Sequence, residues 1–391
     1  MQKRENKILA ILPSKVLYGK ERSNIEVYNL LAEDGRDISV VVNKHSDKKI
    51  FDYLANFKTY PMSFANRHHK NFRYVRYIWG LIYSNISLLL IIMKVRPQVL
   101  FLCSELSFYD HYLPIALSGA KIIYRIGDEP AFPKLSNYKY NSRVWYKFVC
   151  KKVDTFVCIS EYIKRTVEKV GRINSNDTVI YNYPPRRKKS TVDESFKYSI
   201  FDKDVIKFGY IGQLVPQKGV DHYLMAAREI LEKYKNVVFY VAGSLQYDKE
   251  FSDKLLDIQQ SVPGKDRIIF LDEIDDIEKF FTNIDILCVP SIKEEPLGNV
   301  LVEAKEYATP CIIFRSGGMP ELITHKENGY ICPTSDSKGL VEAMQYYISN
   351  QNLISLHNDR SQASIAELKI DYKSFHKKWL DVLNRTYVEK R

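Results

Sequence analysis

Short apolar runs recur along the chain: KILAIL (7–12), ISVVVN (38–43), VLFLCS (99–104), KIIYRI (121–126), TFVCIS (155–160) and VIYN (179–182). After a polar interval they resume with IKFGYIG (206–212), VVFYVAG (237–243), RIIFLD (267–272), DILCVPS (285–291) and PCIIFRS (310–316). Runs of four to seven apolar residues with little alternation suit strands covered on both faces, as in a parallel sheet. Helical stretches fill the intervals, so the pattern predicts an α/β architecture. One longer stretch, Tyr77 to Met93, carries no charge. It falls short of the roughly 20 residues a bilayer span needs. It also contains Ser84, Asn85 and Ser87 and leads through Lys94 and Arg96 into Pro97 and a strand, so it reads as a buried helix. Near the end, Phe375, Trp379, Leu380, Val382 and Leu383 recur with the spacing of an amphipathic helix.

The polar interval, about 183–204, carries Pro184–Pro185 and reads as an interdomain linker. The expected organisation is an N-terminal domain over 1–185, a linker over 186–204, a second domain over 205–370 and a terminal helix over 371–391. A length of 391 residues accommodates two such domains. Two doubly wound domains facing each other form a cleft, with ligands at the carboxyl ends of the strands. Charge divides at the same place. Residues 1–200 hold 34 Lys+Arg and 18 Asp+Glu, and residues 201–391 hold 24 and 29. The first half is therefore basic and suited to an anionic partner, whether bilayer, nucleic acid or substrate. The run Ile8 to Leu12 is too short for a signal h-region, so the expected compartment is the cytoplasm. The six cysteines form no C-x-x-C pair and sit mostly in apolar runs, which fits free, buried thiols.

The chain has no G-x-G-x-x-G, Walker A, H-E-x-x-H or G-x-S-x-G motif, so candidate chemistry rests on the loops after strands. In PSIKEEPLGNVLVEAKEYATP (290–310) a strand ends near Ser291, and Pro296, Leu297 and Gly298 are expected to open a helix. Such a start offers backbone amides to an anion. Glu295 and Glu303 would repel phosphate but can accept bonds from neutral hydroxyls. A nucleotide sugar, with phosphate in the middle and a polyol at each end, matches that combination. An ordinary helix with an acidic surface matches the residues equally well. In GYIGQLVPQKGVDHYLMAA (209–227) a strand ends at Gly212, a loop carries Gln213 and Lys218, and Gly219 begins a helix. Lys218 can neutralise a phosphate there.

Taken together, GQLVPQKGVD (212–221), VAGS (241–244), DILCVPS (285–291), EEPLGNVLVEAKEYATP (294–310), SGGMPELI (316–323) and NGYIC (328–332) resemble glycosyltransferase family 4. That family comprises retaining enzymes of the GT-B fold, in which two Rossmann-like domains face a cleft and a C-terminal helix packs back on the first. VDTFVCISEYIKRTVEKVG (153–171) and VIYNYPP (179–185) resemble the end of its N-terminal domain. The resemblance implies transfer from a nucleotide sugar to an acceptor hydroxyl, with no metal or other cofactor required. It implies that Glu303 holds the ribose and Glu295 the donor sugar. Amides near Leu297, Gly298 and Asn299 would meet sugar and phosphate oxygens, and Lys218 would stabilise the leaving diphosphate. Gly212 and Gln213 complete the donor loop, and Gly19 in LYGKERSN (17–24) stands where the family approaches the diphosphate. Two positions depart from the family. Gln213 replaces the usual Arg, and Gly127–Asp128 replaces the usual His-Asp, which leaves Asp128 as the candidate catalytic carboxylate of the first domain.

Residues 43–76 interleave Lys44, Lys48, Lys49, Lys58, Arg67, Lys70, Arg73 and Arg76 with aromatics such as Phe51, Tyr60 and Tyr74. Basic and aromatic residues together suit the headgroup layer of an anionic bilayer, so a peripheral contact on the inner face of the cell membrane is expected. No nucleic-acid reader module is visible, and none is expected to bind specifically. The pair Asp202–Lys203–Asp204 precedes a strand and reads as a solvated turn, and the cluster Arg186 to Lys189 as exposed linker. Assembly of a cell-surface polysaccharide is the expected setting. The competing readings are a non-catalytic scaffold that kept the fold, and a sugar epimerase or phosphorylase of the same fold.

Overall fold

The computed structural model describes residues 7–65, 73–104, 108, 110–129, 150–169, 171, 172, 174–184, 205–274 and 276–388. The linker 186–204, Asp202–Lys203–Asp204, the Arg186–Lys189 cluster, Arg67 and Lys70 lie outside the described residues. The chain divides into two compact units: residues 1–185 with 372–391, and residues 186–371.

The first unit is built on β1 (Lys7–Leu12), β2 (Asp37–Asn43), β3 (Lys58–Met62), β4 (Val99–Leu102), β5 (Lys121–Ile126), β6 (Thr155–Cys158) and β7 (Thr178–Val179). They form one sheet in the order β3-β2-β1-β4-β5-β6-β7, with every pairing parallel. Helices α1 (Gly19–Glu33), α2 (Lys48–Tyr53), α3 (Arg73–Val95), α4 (Tyr112–Leu117) and α5 (Glu161–Lys169) connect them. Strands β1, β4 and β6 are almost wholly buried, as continuous apolar runs in a covered sheet must be.

The second unit repeats the plan with β8 (Ile206–Ile211), β9 (Val237–Ala242), β10 (Ile268–Asp272), β11 (Ile286–Val289), β12 (Cys311–Ile313) and β13 (Gly329–Ile331). Its order is β10-β9-β8-β11-β12-β13, again all parallel. Helices α6 (Val220–Lys233), α7 (Lys249–Gln260), α8 (Ile277–Thr282), α9 (Asn299–Glu306), α10 (Ser337–Ser349) and α11 (Asn352–Glu367) cover it. Both sheets are Rossmann-like, and the fold class is GT-B. Strand order reverses beside the first strand of each unit, between β1 and β4 and between β8 and β11. Open α/β sheets place their ligands at that reversal.

The terminal helix α12 (Tyr372–Val388) belongs to the first unit. Phe375, Trp379, Val382 and Leu383 are buried in its core, and the Trp379 ring lies 5.5 Å from Phe101 of β4. The Tyr372 hydroxyl donates to Glu33 Oε2 at 2.6 Å, at the end of α1.

Three expectations need correction. The stretch Tyr77 to Met93 is helical but not a buried helix: only 17% of its apolar stretch lies inside the protein. Ser84, Leu88, Ile92 and Val95, spaced by four, four and three, form the inward stripe. Ile78, Trp79, Ile82, Tyr83, Ile86, Leu90 and Met93, on the rest of the circumference, are exposed. Strand β3 was not expected, because Pro61 interrupts a half-polar run, yet proline is tolerated in an edge strand. Finally, α9 starts at Asn299 rather than at Pro296, because Gly298 adopts φ 82° and turns the chain into the helix.

Candidate functional site

The two loops singled out in the second unit follow β8 and β11, the strands that flank its order reversal. They are bound to each other through backbone. Ile292 N and Lys293 N both donate to Gln217 O, at 3.0 and 3.2 Å. Gly219, at φ 67°, ends the 3-10 turn Pro216–Lys218 and caps α6. A Cβ there would lie 2.0 Å from Pro290 O, so only glycine lets the loops approach this closely. Lys218 Nζ then reaches Glu295 Oε1 in an ion pair, with Lys218 34% and Glu295 14% exposed.

A third loop, after β12, clasps Glu295 from the other side. Gly318 N donates to Glu295 O at 2.7 Å, Glu295 N to Ser316 Oγ at 3.2 Å, and Ser316 Oγ to Lys293 O at 2.8 Å. Gly317 N donates to Glu294 Oε2. Gly317 itself, at φ 54°, would place a Cβ 2.0 Å from Glu295 O. The Glu295 backbone is thus held along its length, while its carboxylate faces Lys218.

Glu303 is the fifth residue of α9 and is buried, at 4% exposed. Leu297 is buried as a core side chain, so only its backbone could meet a ligand. Gly298 packs close to Met319, where a Cβ would lie 3.1 Å from Cγ. Gly212 N donates to Ala242 O at 3.0 Å, and the Tyr210 hydroxyl donates to Gln213 O at 2.8 Å. The structure therefore joins Lys218 to Glu295 directly. It places Gly212, Gln213, Leu297, Gly298, Asn299 and Glu303 on the same loops or the helix that follows.

Gly19 and Asp128 belong to the first unit. Gly19 is the first residue of α1, after β1, and Asp128 follows β5. Lys20 Nζ bonds Asp128 Oδ2. Burial pulls the Lys20 ammonium down, but Asp128 and the hydrogen bond they share more than offset this, leaving Lys20 above its ordinary pKa. Behind this pair lies Arg125, a residue the sequence reading passed over. It is the last residue but one of β5, is 3% exposed, and donates to Asn24 Oδ1, Ser23 Oγ and Asn182 Oδ1. Burial lowers its pKa to about 10, so it stays charged at neutral pH. An arginine inside the apolar run KIIYRI was the signal available, because a covered strand admits a charge only with partners.

No group of metal-ligating side chains occurs among the described residues. The six cysteines are free and buried, and burial raises Cys103 to about 11 and Cys311 and Cys332 to about 12. Such thiols carry almost no thiolate near neutral pH and have no nucleophilic character.

Residues 191–366 match the family described as glycosyl transferases group 1. YtcC of Bacillus subtilis (strain 168), named as a glycosyltransferase, is 30% identical over 217 residues, covering 50% of this chain and 53% of that one. The capsular polysaccharide biosynthesis glycosyltransferase CapM of Staphylococcus aureus is 27% identical over 193 residues, covering 46% and 49%. The chain thus aligns with about half the length of these relatives. Its fold is similar to that of Anabaena HepE, whose structure holds UDP and glucose, with a TM-score of 0.77 and 17% identity over 97% of this chain and 99% of that one. The match spans the second unit's strands and the three clasped loops together, and over residues 191–366 the chain is similar to the glycosyl transferases group 1 family.

Proposed function

We propose that the protein is a configuration-retaining glycosyltransferase. It moves a sugar, a hexose or a related unit, from a nucleotide sugar to a hydroxyl of a glycan or lipid-linked acceptor. The reading is carried by one observation: Lys218 and Glu295 meet where the strand order reverses, on loops fixed by backbone contacts. A cation beside a hydroxyl-accepting carboxylate is what the junction of sugar and diphosphate calls for. In the reaction the anomeric carbon loses its bond to the diphosphate oxygen and gains one to the acceptor oxygen, on the same face. The acceptor's proton leaves with the diphosphate.

In this scheme Lys218 stabilises charge that grows on the diphosphate as the bond breaks, electrostatic work a preorganised cation does well. Glu295 holds the donor sugar's hydroxyls, Glu303 the ribose, and the backbone at Leu297, Gly298 and Asn299 the sugar and phosphate oxygens. Gly212 and Gln213 line the donor loop. In the first unit Gly19 lets the backbone approach an anion, and Asp128 is the catalytic carboxylate, held by Lys20. No metal is required, because protein groups neutralise the leaving group. The family match, and relatives named for capsule and lipopolysaccharide biosynthesis, support polysaccharide assembly as the setting, which we place in the cytoplasm.

The test is calorimetric titration of the full chain with UDP, GDP and ADP, repeated on Glu303→Ala. Binding of one nucleotide, weakened at least tenfold in the variant, is the expected result. No binding of any of the three by a folded protein would replace this reading with the scaffold, and Gln213 and Gly127 would be its cause.

A further inference from the structure

The helix α3 is apolar on two sides. Its inward stripe packs on the sheet and on α4, while Ile78, Trp79, Ile82, Tyr83, Ile86 and Leu90 stand exposed on the outside, Trp79 at 67% and Leu90 at 60%. Leu113 and Leu117 of the adjoining α4 extend the surface and are 64% and 65% exposed. Single exposed apolar residues need no explanation, but a contiguous face of this kind marks an interaction surface.

The charges around it identify the partner. α3 contains no Asp or Glu and has Lys94 in its last turn, followed by exposed Arg96. Lys58 and Lys94 converge on the ring of Tyr60, at 5.7 and 5.8 Å. Asp110, an acidic group beside the helix, accepts a bond from the Tyr77 hydroxyl at 3.0 Å. An apolar face with Trp and Tyr, edged by cations, is the pattern of a helix lying in a bilayer interface. We infer that the outer face of α3, with Leu113 and Leu117, docks in the headgroup–acyl boundary of an anionic membrane. The helix lies in that plane and does not cross it, because Ser84, Leu88, Ile92 and Val95 are committed to the protein's own core. A second copy is the poorer partner: it would set one acid-free helix against another and give the cations no counter-charge. The inference is independent of the sugar-transfer reading and locates on one helix the membrane contact expected from residues 43–76.

The test is co-sedimentation of the full chain with vesicles of phosphatidylcholine alone and of equimolar phosphatidylglycerol and phosphatidylcholine. Two variants accompany it, Ile86→Glu/Leu90→Glu and the uncharged Ile86→Gln/Leu90→Gln. Both change exposed positions, and thermal unfolding by circular dichroism checks that each remains folded. The expected result is at least tenfold tighter binding to the anionic vesicles, lost tenfold or more in both variants and released by carbonate. Anionic binding unchanged in the variants would overturn the inference, placing the contact elsewhere on the basic surface. So would no vesicle binding, a dimer in sedimentation equilibrium that the variants dissolve without any vesicle binding, or carbonate-resistant insertion.

Discussion

Gly317→Ala is the sharpest probe of the clasp around Glu295. The added Cβ would sit 2.0 Å from Glu295 O and 2.8 Å from Glu295 N, backbone atoms that cannot rotate away. Relief needs a displacement of about 1 Å, and a shift of that size in a positioning element costs on the order of a hundredfold in rate. The left-handed conformation at φ 54° adds about 1–2 kcal/mol for any residue with a side chain. Losing the Gly318–Glu295 hydrogen bond adds about 1 kcal/mol more. Local stability of the clasp should therefore fall by about 2–3 kcal/mol, which speeds amide exchange roughly thirtyfold to a hundred-and-fiftyfold. Gly35→Ala is the control: it has φ 80° but nothing within 4 Å of the new Cβ, so it bears the conformational cost alone. The assay is hydrogen exchange read by mass spectrometry, together with the rate of nucleoside diphosphate release from the nucleotide sugar. Residues 290–298 should lose protection in Gly317→Ala, with release about a hundredfold slower. Gly35→Ala should change exchange only around the end of α1. Unaltered exchange at 290–298 in Gly317→Ala would refute the argument, because the clasp would then not be what holds Glu295.

Lys218→Ala should lower turnover by about a hundredfold, with much less effect on nucleotide binding. Its cost to stability should stay within about 1 kcal/mol, because the Lys218–Glu295 pair is partly open to solvent; unchanged turnover in a steady-state assay would remove Lys218 from the mechanism. Lys305, fully buried on α9, donates to Ser364 Oγ of α11 at 2.7 Å, and burial lowers its pKa to about 8 from the ordinary 10.5. Between those values the unfolded chain binds more protons than the folded one, so stability should rise with pH across that window, by about 3 kcal/mol at most. Lys305→Met should flatten that rise in urea unfolding measured from pH 7 to 10 and stabilise the protein at pH 7, since Ser364 Oγ keeps its bond to Ser361 O at 2.6 Å; a slope that persists in the variant would count against this account.

Much of this architecture is legible in the sequence because a doubly covered parallel sheet admits little besides apolar runs. KILAIL and KIIYRI coincide with β1 and β5 to the residue. The Lys218 and Glu295 loops could be read because each sits between an unmistakable strand and an amphipathic helix. What escaped depends on tertiary context. β13 has only three residues and exists because β12 offers an edge. The exposed face of α3 has the composition of a buried helix, and periodicity cannot say which sides a neighbour will cover. SGGMPELI could be matched to a family, but the task of Gly317 appears only when Glu295 O lies 2.0 Å from its missing Cβ.

The two units share one sheet plan but fix the elements at their strand ends by different means, and this determines how each can vary. In the second unit the loops after β8, β11 and β12 are tied mainly main chain to main chain, through Gln217 O, Glu295 O and the glycines at 219 and 317. Such ties leave side chains free to change, so position 213 can vary without moving Lys218 or Glu295. In the first unit side chains tie the start of α1 to the end of β5: Arg125 of β5 to Ser23 and Asn24 of α1 and to Asn182, and Lys20 of α1 to Asp128. There a single substitution unties an element. Arg125→Met would leave three buried polar groups without their donor, each costing about 1–3 kcal/mol. The same volume change at Gln213 would cost the second unit little. Substitutions that alter the ligand without loss of fold are therefore to be sought on the loops of residues 212–218 and 291–298, and substitutions at Arg125 act first on folding.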